Sequence, residues 1–267
     1  MTTTRYAISL HYASRPALSL AVLQPALAKW DLKLMAAEHG TSGAIELHEA
    51  QRNGPRWLLE PHDEPFEIGV LRNSLEQSWN WRDAAEVIAQ CRSSIRIEEQ
   101  SDENGRLDLD RFRRIVAALL SGWEARAILW LPAQHFINPS EYLASVGEDD
   151  PLYGPLNIRM FHVEGGTSGP IPLHDEFIMD TIGLGPLGVA DLQCHFKMLD
   201  RTRVAQVLYQ TAYYLYEKGI ALKSGDSVDG ITEDSQWICR EQEAIFPPAR
   251  TVIDLDPGKE FAGAKRL

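Results

Sequence analysis

The chain has 267 residues, 44% of them hydrophobic, enough to bury a substantial core. Its 26 Lys and Arg face 38 Asp and Glu, a formal charge of -12. That balance excludes a binder that works by neutralising nucleic-acid phosphates and favours basic partners.

At the N-terminus His11, Arg15 and Pro16 break up the apolar residues before a secretory h-region can form. No run of about 18 apolar residues exists to cross a bilayer. Cys91, Cys194 and Cys239 lie far apart with no C-x-x-C pair, so a reducing cytoplasm is the expected setting.

YAISLHYA, residues 6–13, alternates Tyr6, Ile8, Leu10 and Tyr12 with small or polar neighbours, which predicts a half-buried strand. PALSLAVLQPALAKWDLKLMAAEHG reads as a helix with Pro16 in its first turn, Gly40 at its end, and a kink or reset at Pro25. AIELHE, RWLLE and FEIGVL are short strand candidates. In LEQSWNWRDAAEVIAQC, Asn80 is the expected N-cap, which puts Trp81, Ala84, Ala85, Ile88 and Cys91 on one core-facing stripe. Trp79 precedes the cap, where it suits a hydrophobic staple.

SSIRIEE continues as a strand. LDLDRFRRIVAALLSGW is a strongly amphipathic helix, with Asp108 as cap and Leu109, Phe112, Val116, Leu119 and Trp123 at spacings of three and four. ARAILWLPA is a buried strand and PLNIRMFHVE another. GLGPLGVADL lacks the G-x-G-x-x-G spacing and any G-K-[ST], so it reads as a close-packed structural turn. In DRTRVAQVLYQTAYYLYEKG, Val204, Val207, Leu208, Thr211, Ala212 and Leu215 form an apolar stripe that docks the last long helix. Beside it Tyr209, Tyr213 and Tyr216 form a second stripe, suited to the core edge or to a partner. WICREQEAIF and TVIDLD close the sequence as strands.

Strands and helices interleave without a long linker. The expectation is a single α+β domain over residues 1–256, a mixed or antiparallel sheet with packed helices, followed by a loose tail at 257–267. GTSGAIELHE (Gly40 to Glu49) matches GTSGPIPLHD (Gly166 to Asp175) at seven of ten positions. This leaves open a duplicated strand and helix unit or a coincidence between two glycine-containing turns.

The raw material for metal chemistry is His62, Asp63, Glu64 and His174, Asp175, Glu176. Imidazole with carboxylate suits zinc, manganese or iron, and a metal-dependent hydrolase is the competing function. Consecutive residues on a strand point to opposite faces, however, and no H-E-x-x-H is present. Solvated acidic loops are therefore the reading taken, with no metal, cofactor or catalytic residue assigned. Ser42 and Ser168 are read as turn hydroxyls, since no G-x-S-x-G occurs.

The W-x-W before a helix (Trp79, Trp81), the GLGPLG turn and the WICREQEAIF segment, in an acidic chain without a catalytic motif, resemble the immunity protein 52 family of bacterial polymorphic toxin systems. The resemblance implies a cytoplasmic protein that binds and neutralises a cognate nuclease toxin of the restriction-endonuclease-fold type, delivered by a type VI secretion system. A nuclease's basic DNA-binding face would complement a chain at -12. The toxin-binding candidates are the acidic loops between elements: Glu148, Asp149 and Asp150, and Asp226, Asp229, Glu233 and Asp234.

Overall fold

The structure is a computed structural model and describes residues 3–39, 43–50, 54–63, 68–78, 80–101, 107–148, 150–163, 175–232 and 234–263. The fold is α+β, as expected. Where the interleaved pattern predicts one unit, the chain divides into two compact units, Met1–Pro155 and Leu156–Leu267.

The first unit contains β1 (Thr3–Tyr12), α1 (Leu20–Lys29), β2 (Met35–His39), β3 (Ala44–His48), β4 (Arg56–His62), α2 (Ile68–Glu76), α3 (Ala84–Ala89), β5 (Ser93–Ser101), α4 (Leu109–Gly122), β6 (Ala127–Trp130), β7 (His135–Ile137) and α5 (Pro139–Gly147). Its seven strands run in the order β2-β3-β4-β5-β1-β6-β7, and each pairing is antiparallel. The alternation in β1 is real, since Tyr6, Ile8, Leu10 and Tyr12 are all buried, but Ala7, Ser9 and His11 are buried too. Both faces of the strand are thus covered, and β5 and β6 flank its two edges. The dry surroundings hold the His11 imidazole neutral, with its pKa pushed down to about 3.

An aromatic cluster fills this core. Tyr6 meets Phe112 edge-on at 5.3 Å between centroids, and Trp130 lies 5.8 Å from Tyr6, 6.1 Å from Phe112 and 5.7 Å from Tyr142. Such tilted and edge-to-face contacts add to the burial of large apolar surface. α4 delivers Phe112 because Asp108 caps it, its carboxylate accepting from Arg111 N–H at 3.1 Å. Trp81 is buried with Ala84, Ile88, Ala127, Leu129 and Phe136, so the tryptophan is core, as the stripe predicts. Trp79 lies outside the described residues.

Several local expectations change. α1 begins after Ser19, whose hydroxyl accepts from Val22 N–H, and runs through Pro25. The chain then leaves the helix and MAAEH becomes the edge strand β2. Of FEIGVL, the described residues, from Ile68 on, are helical and not a strand: they belong to α2, in whose sequence Ile68, Leu71 and Leu75 recur at spacings of three and four. α3 is shorter than predicted. Its N-cap is Asp83 and not Asn80, because Trp81 and Ala84 are taken up in turns, with Trp81 N–H on Ser78 O and Ala84 N–H on Trp81 O.

The second unit contains β8 (Asn157–Val163), β9 (Glu176–Ile182), β10 (Asp191–Lys197), α6 (Arg201–Lys218), β11 (Ser227–Asp229), β12 (Gln236–Glu243) and β13 (Thr251–Asp256). Its sheet order is β11-β12-β13-β10-β9-β8, with β10 and β13 parallel and the other pairs antiparallel. The strand orders of the two units differ. The GTSG echo, most of which lies outside the described residues, is thus not accompanied by a repeated strand order. All six residues of the α6 stripe are buried. The GLGPLG segment is the expected tight turn, a 3-10 turn at Gly185–Leu187 closed by Gly188 at φ 75°.

Residues 257–263, read as a loose tail, pack instead. Phe261 O accepts from Lys197 N–H at 2.8 Å, Gly263 N–H donates to His195 O at 2.9 Å, and Ala262 is buried. The segment continues the sheet beside the end of β10, which gives its backbone groups partners that sequence periodicity does not reveal.

Candidate binding groove and its acidic rim

The predicted acidic residues fall into different units. Glu148 caps the C-terminus of α5 and is exposed, while Asp150 accepts from Leu152 N–H at 3.3 Å. Both belong to the first unit, whereas Asp226, Asp229 and Asp234 belong to the second and are all exposed. Asp149 and Glu233 lie outside the described residues.

In the second unit two of these carboxylates also shape their own hairpin. Asp226 accepts from Lys223 N–H at 2.8 Å just before β11, and Asp229 accepts from the Gln236 amide at 2.8 Å across the β11 and β12 ladder. The turn of that hairpin is tied to α6 by Arg203, which donates to Ile231 O at 2.6 Å. Between α6 and β11 lies a groove of about 390 Å³, a size that accepts ligand groups. Val207, Thr211 and Leu215 of α6 contribute to it, with Tyr214 and Gln210, and it is closed by Leu222, Val228, Asp229 and Gly230. Tyr214 is 51% exposed.

Sequence reasoning found Asp229 but missed Tyr214, because the tyrosine stripe was traced through Tyr209, Tyr213 and Tyr216. In the structure Tyr209 and Tyr216 are half-buried and Tyr213 is 37% exposed. The signal for Tyr214 is its position three after Thr211 and seven after Val207. It shares an edge with the docking stripe yet stands at its outer margin.

A second cleft, about 430 Å³, lies in the first unit among Asp31, Lys33, Glu49, Arg111 and Arg114. It is larger, but Arg111 is engaged by Glu49 and Asp108, and Arg114 by Asp110. Both of its arginines are thus already paired.

The described residues of the HDE segments belong to different units. His62 and Asp63 are in the first unit, where Asp63 pairs with Arg15. Asp175 and Glu176 are in the second, Asp175 facing His162 at 3.4 Å and Glu176 facing His195 at 2.9 Å. Glu64 and His174 lie outside the described residues. Among the described residues no three His, Cys, Asp or Glu side chains come together as a metal site. Cys91, Cys194 and Cys239 are all buried thiols, and burial with nearby Asp226 and Asp254 pushes Cys239 up to about 11.

On the β8 to β10 side of its sheet, away from that hairpin, the second unit holds a network that no sequence pattern announces. Arg159 grips Asp180 through Nε at 2.8 Å and Nη2 at 2.5 Å. Arg250 donates to Asp180 at 2.8 Å, to Asp191 at 3.1 Å and to Thr181 O at 2.9 Å. The same two arginines hold the β12 to β13 loop, Arg159 donating to Pro247 O at 2.8 Å and Arg250 to Pro248 O at 3.0 Å. Two guanidiniums thus balance two carboxylates that are out of water, the condition for tolerating buried charge. Asp191 also accepts from Thr181 Oγ1 and Leu184 N–H, both at 3.2 Å, yet burial outweighs these partners and raises its pKa to about 6. With its donors and acceptors engaged mutually, the network serves as a clamp on the sheet.

No helix among the described residues is long and apolar enough to cross a membrane. No curated protein and no solved structure matches the chain. Residues 180–256 match the family described as a domain of unknown function, DUF4261, a stretch that runs from Asp180 of the clamp through α6 and the groove to the end of β13.

Proposed function

We propose that this chain is an immunity protein: it binds a cognate nuclease toxin in the cytoplasm and holds it inactive by protein contact, with no chemistry of its own. The observation that carries the reading is the groove of the second unit, where exposed Tyr214 and apolar side chains face the β11 segment, which bears the exposed Asp226 and Asp229, on a chain of charge -12. Tyrosines that offer apolar area with a polar tip are favoured anchors in protein interfaces. Carboxylates around them draw in a basic surface and raise the encounter rate. A nuclease carries such a surface where it holds DNA phosphates. The sequence resemblance to the immunity protein 52 family supports the same partner class.

Co-expression tests this reading. The product of the neighbouring gene, expressed alone, should arrest growth, and this chain should restore growth and co-purify with it. Association should slow as salt rises through the physiological range, because the Debye length falls to about 8 Å there. A non-toxic neighbour, or a toxin that kills equally in the presence of this chain, would remove the assignment.

A further inference from the structure

We infer that residues 258–263 form a strap that opens about Gly258 independently of the sheet and, when closed, guards the backbone edge of β10 at His195–Lys197 against pairing with another chain.

The edge needs a guard because of the way β13 meets β10. The parallel register of β13 covers Asp191–Gln193 of β10, so the C-terminal half of β10, paired with β9 on its other side, runs on past the last parallel pair. Unpaired N–H and C=O groups on such an edge invite a further strand. The strap fills that place. Lys197 N–H donates to Phe261 O at 2.8 Å, Gly263 N–H donates to His195 O at 2.9 Å, and Ala262 forms an antiparallel bridge with Phe196.

The strap is a small body with its own hinge. Phe261 N–H and Ala262 N–H both donate to Gly258 O, at 3.0 and 2.7 Å, and Gly258 N–H donates to Asp256 Oδ1 at 3.0 Å. Gly258 has φ 93°, and a Cβ there would meet nothing within 4 Å, so the turn stands clear of its surroundings. Lys259 and Glu260 are exposed. Against the six-pair ladder of β12 and β13, the strap crosses to β10 through two backbone hydrogen bonds among the described residues. An element tied so lightly opens at a fraction of the global cost.

A side chain decides what fits in the closed position. Gly263 does not have a positive φ that would itself require glycine, yet a Cβ on it would lie 2.1 Å from Cδ2 and 2.3 Å from Nε2 of His195. That imidazole is held from β9, its Nε2 2.9 Å from Glu176 Oε2. The ring occupies the volume that any other residue at 263 would need, so a larger residue there must lift the strap or push the ring off Glu176.

Native-state amide exchange on the full chain tests the strap. The amides of Lys197 and Gly263 should share one opening constant, exchange roughly ten-fold or more faster than the amides of β12 and β13, and hardly respond to low urea, the mark of a local opening. Gly263→Val should remove most of the protection at Lys197, leave that of β12 and β13, and give association that grows with concentration in sedimentation. Adding His195→Ala to Gly263→Val empties the contested volume and should restore the wild-type protection and sedimentation. Exchange of Lys197 and Gly263 that tracks global unfolding in urea would overturn the strap as an independent element, and this result is read from the wild type even if neither variant folds. A strap displaced by Gly263→Val without added association would overturn its guarding role.

Discussion

Both units have apolar interiors, but each contains a different kind of buried cluster. In the first, Tyr6, Phe112, Trp130 and Tyr142 meet at ring separations of 5.3 to 6.1 Å and the interior is held by dispersion and apolar burial. In the second, Arg159, Asp180 and Asp191 are buried, Arg250 is partly buried, and the four are held by matched charge. The aromatic cluster depends on shape, and filling or emptying it by a few atoms is felt directly. The ionic clamp depends on completeness, and loss of one member exposes its partners to an environment that cannot solvate them.

The largest effect should come from breaking the clamp at its shared acceptor. Asp180→Ala leaves two guanidiniums converging on an empty position, and a cost of about 3 to 5 kcal/mol is expected. Hydrogen exchange locates the damage: amides of β9 and β10 should exchange faster while those of β1 and β5 hold, and uniform acceleration of both sheets would erase the contrast between the units. The mirror experiment is Trp81→Ala in the first unit. Deleting a side chain that is 9% exposed and packed on Ile88 and Phe136 should cost about 3 kcal/mol in urea unfolding. An unchanged midpoint would show that the tryptophan contributes nothing to the core.

A smaller loss, roughly 2 kcal/mol, is expected for Gly154→Ala. Gly154 has φ 105°, and an added Cβ would sit 2.6 Å from the Trp130 ring, so both the backbone and the aromatic cluster must adjust. The change should lower the thermal midpoint and alter the near-ultraviolet circular dichroism of the tryptophans; a neutral result would mean that the cluster has slack.

A separate test is a pH term confined to the clamp. Asp191 titrates at about 6 in the fold against 3.8 for an ordinary aspartate, so the folded chain holds this proton more tightly than the unfolded one. Its contribution favours the fold below about pH 4 and is withdrawn as pH rises through 6. The Asp191 side-chain carboxyl carbon should show an NMR midpoint near 6. A midpoint below 4 would show that the ion pair with Arg250 outweighs burial.

What could be read from the sequence follows the same division. α4 and α6 are legible because each carries an apolar stripe between a capping aspartate, Asp108 or Asp200, and a glycine at or beside its end. β9 and β10 are not legible, since their interior residues include Asp180, Thr181, Asp191 and Gln193, which look solvent-facing until their partners are known. The partner that makes Asp180 acceptable is Arg250, seventy residues away, beyond the reach of any local period. MAAEH became a strand for a related reason: β3 offers it a ladder along its whole length, and pairing outweighs helix propensity. The groove was half legible. Asp229 stands out as a loop acid, but Tyr214 gains its meaning from β11, which the sequence offers as three unremarkable residues.

The position of β13 has a consequence for biosynthesis. Thr251–Asp256 lies between β12 and β10, so the last of this sheet's strands in chain order belongs in its interior. The first unit is arranged the other way, around β1, the first of its strands in chain order. The N-terminal half can therefore complete its ladder while translation continues, whereas the C-terminal half holds two separate strand groups, β8 to β10 and β11 to β12, until the end. A message truncated before codon 251 would yield a finished first unit joined to an open sheet with two unpaired edges, which is prone to aggregation and a ready substrate for proteolysis.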